Sequence, residues 1–167
     1  MLKNLPPVIT GPLLTLLADL RPGQWLALAP EGAPMLEHAP SVTVDLPLDL
    51  LAAALFEVVP VADTSDSPLA LWAIDRHDDS LDDLVFAVQG LAGDATGRRV
   101  RATSVSDAEL VADAADTAAA VIRVPFDGAP FIFFLRTGGD DRATVARSAT
   151  RSAHSSARAA TLEPSTC

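Results

Sequence analysis

Asp75-Arg76-His77 puts a carboxylate, a guanidinium and an imidazole on consecutive residues, directly after the uncharged run 69–74. That run is bounded by Pro68 and Asp75 and reads as a strand covered on both faces. Open α/β sheets place ligands beyond the carboxyl ends of such strands. A carboxylate and an imidazole there are the side chains that general acid–base chemistry uses. The rival reading is a solvated loop, because Asp78 and Asp79 follow at once, and the sequence favours it. Other chemistries find less. His38 and His154 are isolated, the only cysteine is Cys167, and no metal-ligand spacing is present. Gly90, Gly93 and Gly97 match neither a dinucleotide fingerprint nor a P-loop. Ser104 and Ser106 lack the frame of a nucleophile elbow. No metal and no cofactor is expected.

The elements that must position these groups are short. Thr10 with Pro12 is a helix start, and the Leu13, Leu14, Leu16, Leu17, Leu20 spacing buries one face. Residues 25–29 and 42–44 read as strands, and 48–59 as an Ala/Leu-rich helix ended by Pro60. After the strand at 69–74, Ser80-Leu81-Asp82-Asp83 caps a helix reaching about residue 91. The three glycines then predict a loop, and 100–103 a further strand. Ser106-Asp107-Ala108-Glu109 is a capping box opening an Ala-rich helix. Residues 119–124 and 131–135 are the last strands, turning at Asp127-Gly128. Helices alternating with buried strands predict an α/β fold, a single three-layer domain with a mostly parallel central sheet.

The chain has 167 residues, 49% of them hydrophobic and 20% charged, which suits one globular domain over residues 1–141. No apolar run is long enough to span a bilayer, and no basic segment or cleavage site frames residues 13–20 as a secretory signal. A lone terminal cysteine permits no internal disulfide, and a reducing cytoplasmic setting is expected. Residues 1–141 carry 21 acids against eight Lys/Arg, a net charge of −13. Such a body argues against binding a nucleic-acid backbone. Residues 142–167 carry Arg142, Arg147, Arg151 and Arg158 against Glu163, a net charge of +3. Rich in Ala, Ser and Arg, this segment reads as a disordered, solubilising tail.

Two blocks of sequence carry a family resemblance. Met1-Leu2-Lys3-Asn4-Leu5-Pro6-Pro7-Val8-Ile9-Thr10, with Leu13-Leu14, Leu17-Ala18-Asp19-Leu20, Gly23 and Pro34, is similar to the opening of the ribose pyranase/fucose mutarotase family. Ala118-Ala119-Ala120-Val121-Ile122 and Ile132-Phe133-Phe134-Leu135-Arg136-Thr137-Gly138 resemble its closing strands. Asp49-Leu50-Leu51-Ala52-Ala53 and Pro68-Leu69-Ala70-Leu71 resemble the helix and strand between. The resemblance implies a ring-shaped homo-oligomer, often a decamer, with monosaccharide sites near subunit boundaries. It also implies the interconversion of sugar anomers or ring forms.

The family's acid/base positions, however, hold other residues here. Its loop histidine falls on Pro22, its strand-end aspartate on Pro30, its tyrosine on Pro130 and the partner asparagine on Ile132. The arginine or histidine near the start of its last helix falls near Ala108. The expectation is therefore a diverged member, sugar-binding or structural, with catalysis reduced or lost. The rival is an active mutarotase with a rebuilt acid/base site, whose candidates are Asp75, His77 and Glu31, the carboxylate one step beyond Pro30. An unrelated small α/β interaction protein is the third reading.

Overall fold

Along the buried strands, apolar residues point alternately to the two faces of the sheet, as Leu26 and Leu28 alternate with Ala27 and Ala29 on the strand at 25–30, and this alternation divides the interior in two. The computed structural model describes residues 6–33, 36, 39–62, 67–75, 79–109 and 118–138. His77, the 142–167 segment and the boundary at residue 141 lie outside them. The elements run α1 (Gly11–Ala18), β1 (Trp25–Pro30), β2 (Ser41–Thr43), α2 (Leu48–Val58), β3 (Leu69–Ala73), α3 (Asp79–Thr96), β4 (Ala102–Ser104), α4 (Asp107–Glu109), β5 (Ala118–Val124) and β6 (Phe131–Arg136). The six strands form one sheet in the order β2-β5-β1-β6-β3-β4. Only β6 runs antiparallel to its neighbours, so the sheet is mostly parallel, as the sequence predicts.

Leu26, Leu28, Ile122, Phe131, Phe133 and Leu135 point to one face and meet Leu13, Leu16, Leu51, Leu55, Leu81 and Val88 from α1, α2 and α3. Ala27, Ala29, Ala70, Trp72, Val121, Ile132 and Phe134 point to the other. On that second face the Trp72 indole Nε1 donates to Asp107 Oδ1 at 2.6 Å, anchoring the first turn of α4 there. Helices therefore lie on both sides of the sheet. The capping box forms as read: Ser106 N–H donates to Glu109 Oε2 at 2.8 Å, and Glu109 N–H reaches Ser106 Oγ at 3.3 Å.

Two local expectations need revision. Thr10 occupies the N-cap of α1 with extended backbone, but its side chain makes no capping bond. Pro12 at the second helical position has no N–H, which removes one of the two donors such a side chain would take. More consequentially, α3 continues through Gly90 and Gly93 to Thr96, where the glycines predict a loop. Val88 and Ala92 pack into the core across that stretch, so tertiary burial overrides helix propensity. Gly97, at φ +67°, supplies the left-handed residue that ends the helix.

The opening and closing sequence blocks meet in space. β1 pairs with β6 from Trp25↔Arg136 to Leu28↔Phe133. Beyond the strands, Gly23 N–H donates to Thr137 O at 2.7 Å and Thr137 N–H to Gln24 O at 2.9 Å. Gly23 takes φ +87° in this turn. The buried Thr137 hydroxyl lies 2.7 Å from Arg21 O. Gly138 donates to Pro60 O at 2.6 Å. A Cβ on Gly138 would stand 2.7 Å from the Val61 carbonyl carbon, so only glycine fits.

Candidate functional site

A parallel arrangement of β1, β2 and β5 aligns their carboxyl ends, and a cleft of about 420 Å³ opens there. Each strand hands it a turn: Pro30-Glu31-Gly32 from β1, Thr43-Val44-Asp45 around the end of β2, and Val124-Pro125-Phe126-Asp127 from β5. Glu31, Asp45 and Asp127 bring three exposed carboxylates to its walls. Among the described residues, no group of three or more acids, histidines or cysteines is placed to hold a metal ion. Phe126 supplies an aromatic wall, held edge-on against Phe131 with ring centroids 4.7 Å apart.

The turn that presents Glu31 is pinned from the neighbouring strand. Ala33 N–H donates to Pro30 O at 3.0 Å, closing the turn. Arg123 on β5 extends its Nη1 to Pro30 O at 3.1 Å and Ala33 O at 3.3 Å. Its own carbonyl accepts from Val44 N–H at 2.8 Å, tying in the β2 end beside Asp45. Arg123 thus links two of the three acid-bearing segments. Hydrogen bonds from a charged donor contribute about 1.5–3 kcal/mol. Arg123→Met, which keeps much of the aliphatic stem, is therefore expected to lower stability by about 1–3 kcal/mol. A urea denaturation midpoint unchanged from the parent would show that the turn holds without it.

The sequence candidates do not converge. Glu31 lies in the cleft. Asp75 is exposed beyond the end of β3, where Ile74 N–H donates to Pro130 O at 3.2 Å. β6 separates β1 from β3. Two strand spacings of about 4.8 Å therefore keep Glu31 and Asp75 about 10 Å apart across the sheet. His77 lies outside the described residues. Asp45, Asp127 and Arg123 were not singled out by the sequence, although both aspartates show the pattern that flagged Asp75, an acid just after an apolar strand.

The family's positions also separate. Pro30 and Pro130 lie at the cleft end of the sheet, with Pro30 buried. Ile132 is fully buried on the second face opposite Trp72, so it contributes core rather than a ligand contact. Pro22 is exposed at the far end of β1. Five residue steps from Trp25 to Pro30 span about 17 Å, which puts Pro22 and Pro30 too far apart to touch one sugar within one chain.

No protein-family model matches the sequence, and no curated protein matches it. Solved structures do. The fucose mutarotase from Streptococcus pneumoniae in complex with L-fucose superposes with a TM-score of 0.63 at 20% identity, covering 83% of this chain and 99% of its own. FucU from Bifidobacterium longum gives 0.67 at 22% identity over 80% of this chain and 96% of its own. Bacillus subtilis RbsD complexed with D-ribose gives 0.56 at 21% identity over 83% and 98%. The fold is that of the RbsD and FucU structures. The match covers nearly all of each of those chains. Among the described residues no helix is long and apolar enough to cross a membrane.

Proposed function

We propose that the protein binds a monosaccharide in the cleft beyond β1, β2 and β5, with mutarotase-type catalysis reduced or lost. The observation that carries this reading is the cleft itself, with Glu31, Asp45 and Asp127 beside Phe126. Carboxylate oxygens accept hydrogen bonds from sugar hydroxyls, and a ring face covers the apolar side of a sugar. Solved examples of the fold include a fucose mutarotase with L-fucose and RbsD with D-ribose. Three carboxylates also repel phosphate, so neutral sugars are favoured over phosphorylated ones. Saturation-transfer difference NMR with ribose and fucose tests the binding. Glu31→Gln is expected to weaken it by about tenfold, the equivalent of about 1.4 kcal/mol for one charged hydrogen bond. No transfer to either sugar would remove the reading.

A second reading is favoured by one observation: Glu31 reaches the cleft with two further acids. It makes the protein an active sugar isomerase with a rebuilt acid/base site. The rate of anomer exchange, in the parent and in Glu31→Gln, separates the two.

The same reading carries a homo-oligomer in a cytoplasmic setting. Ile9 is buried in the core and Val8 packs against it, which leaves Leu2 and Leu5 as the apolar residues of the opening segment for which a partner surface is proposed. The resemblance implies sites near subunit boundaries, and the separation of Pro22 from Pro30 agrees with that, because one sugar could meet both of those family positions only across two copies. Light scattering at micromolar concentration is expected to give a multiple of the 17.4 kDa chain mass, reduced when residues 1–9 are deleted. A monomer for the full chain would overturn it.

A further inference from the structure

The solvent face of α3 combines an unusually exposed aromatic ring with unbalanced negative charge. The helix carries Asp79, Asp82, Asp83 and Asp94 and no Lys or Arg. All four are exposed, and Phe86 among them is 81% exposed. Residues three and four apart are neighbours on a helix, so Phe86 stands one turn after Asp82 and Asp83 and one turn before Gly90. Helical side chains lean toward the N-terminus, which inclines the ring toward the two carboxylates. The Gly90 side stays open, since a Cβ there would meet nothing within 4 Å. A ring face beside two carboxylates suits a guanidinium, by cation–π attraction to the ring and charge-assisted hydrogen bonds to the acids.

A second copy of this face is a poor occupant. A two-fold contact pairs a patch with itself, and here that would set aspartate against aspartate. The occupant that fits is basic, and the chain contains one. Residues 142–167 hold four arginines against one acid and follow a body of charge −13. Gly138 is tied to Pro60, and Arg98, just past the C-terminal end of α3, donates to Ala62 O, so the described chain ends beside that end of α3, with Phe86 about 15 Å further along the helix. Residues 139–167 span up to about 100 Å when extended, whereas α3 is about 27 Å long.

We propose that the arginine-bearing segment 142–158 docks on the solvent face of α3, with one guanidinium over Phe86 and against Asp82 and Asp83. The tail is then a salt-sensitive latch that covers Phe86, rather than a solubilising extension alone. This stands apart from the sugar cleft, which α3 does not line.

Cys167 is the only cysteine, so a nitroxide attached to it reports where the tail of the full chain goes. Amide signals of residues 82–90 are expected to broaden selectively compared with those of β1 and β6. That broadening should be lost in Phe86→Ser, in the Asp82→Asn/Asp83→Asn double variant, and at about 1 M salt, where the Debye length is about 3 Å. Even broadening over the whole molecule overturns the proposal, as does α3 broadening that persists in both variants. A mixture of isotope-labelled chains without nitroxide and spin-labelled chains without isotope gives the last control. Broadening in that mixture places the tail on another molecule and also overturns the proposal.

Discussion

Phe133→Ala is expected to destabilise the protein by about 3–5 kcal/mol, the usual cost of truncating a core phenylalanine. Phe133 is 1% exposed near the middle of β6, opposite Leu28 on β1 and Leu71 on β3. It lies on the face covered by α1, α2 and α3 and meets Phe131 edge-on at 5.6 Å. Removing the ring opens a cavity that neither strand nor helix can collapse into without breaking ladder hydrogen bonds. Total stabilities of domains are about 5–15 kcal/mol, so the variant should retain little. Phe133→Leu keeps most of the volume and should cost clearly less. Urea midpoints at equal slope measure both. A loss below about 1 kcal/mol for Phe133→Ala would mean that β6 is not the centre of the core.

Much of this architecture was legible in the residues. The runs at 69–74 and 131–135 are uncharged over five or six positions, as strands covered on both faces must be, and both became interior strands, β3 and β6, although β3 stops at Ala73 and leaves Ile74 exposed. The Ser106–Glu109 pair declared its capping box because that motif is local. Where the reading failed, the deciding force was long-range. Gly90 and Gly93 look like loop residues in isolation, yet Val88 and Ala92 reach the core and hold the helix through them. The candidate site was less legible for the same reason. Asp45 and Asp127 join Glu31 only because β5 inserts between β1 and β2. Strand order, unlike strand identity, is not written in local periodicity. Arg123 acts through carbonyls 93 and 90 positions away in the sequence, a spacing that no motif encodes.

Anomer exchange of ribose and fucose is expected to proceed close to the uncatalysed rate in the presence of this protein. Opening a sugar ring requires a base for the anomeric hydroxyl and an acid for the ring oxygen, both within hydrogen-bond reach. Such groups typically contribute about 10²–10⁴-fold. The resemblance places the family's groups on Pro22, Pro30, Pro130 and Ile132, none of which has a side-chain proton to give or a lone pair to take one. The three prolines also lack the N–H that could orient a hydroxyl. The fold adds a second reason at Ile132, whose side chain is sealed in the core. What remains is the acidic cleft, where Glu31, Asp45 and Asp127 can all accept hydrogen bonds. Positioning alone accelerates an already easy reaction only modestly. Magnetisation-transfer NMR between the anomers measures the rate directly. Strong enhancement that vanishes in Glu31→Gln would establish a rebuilt site in the cleft, while loss in His77→Ala instead would move the chemistry to the end of β3. Unenhanced exchange together with saturation transfer to the sugar would leave binding as the surviving function of this fold.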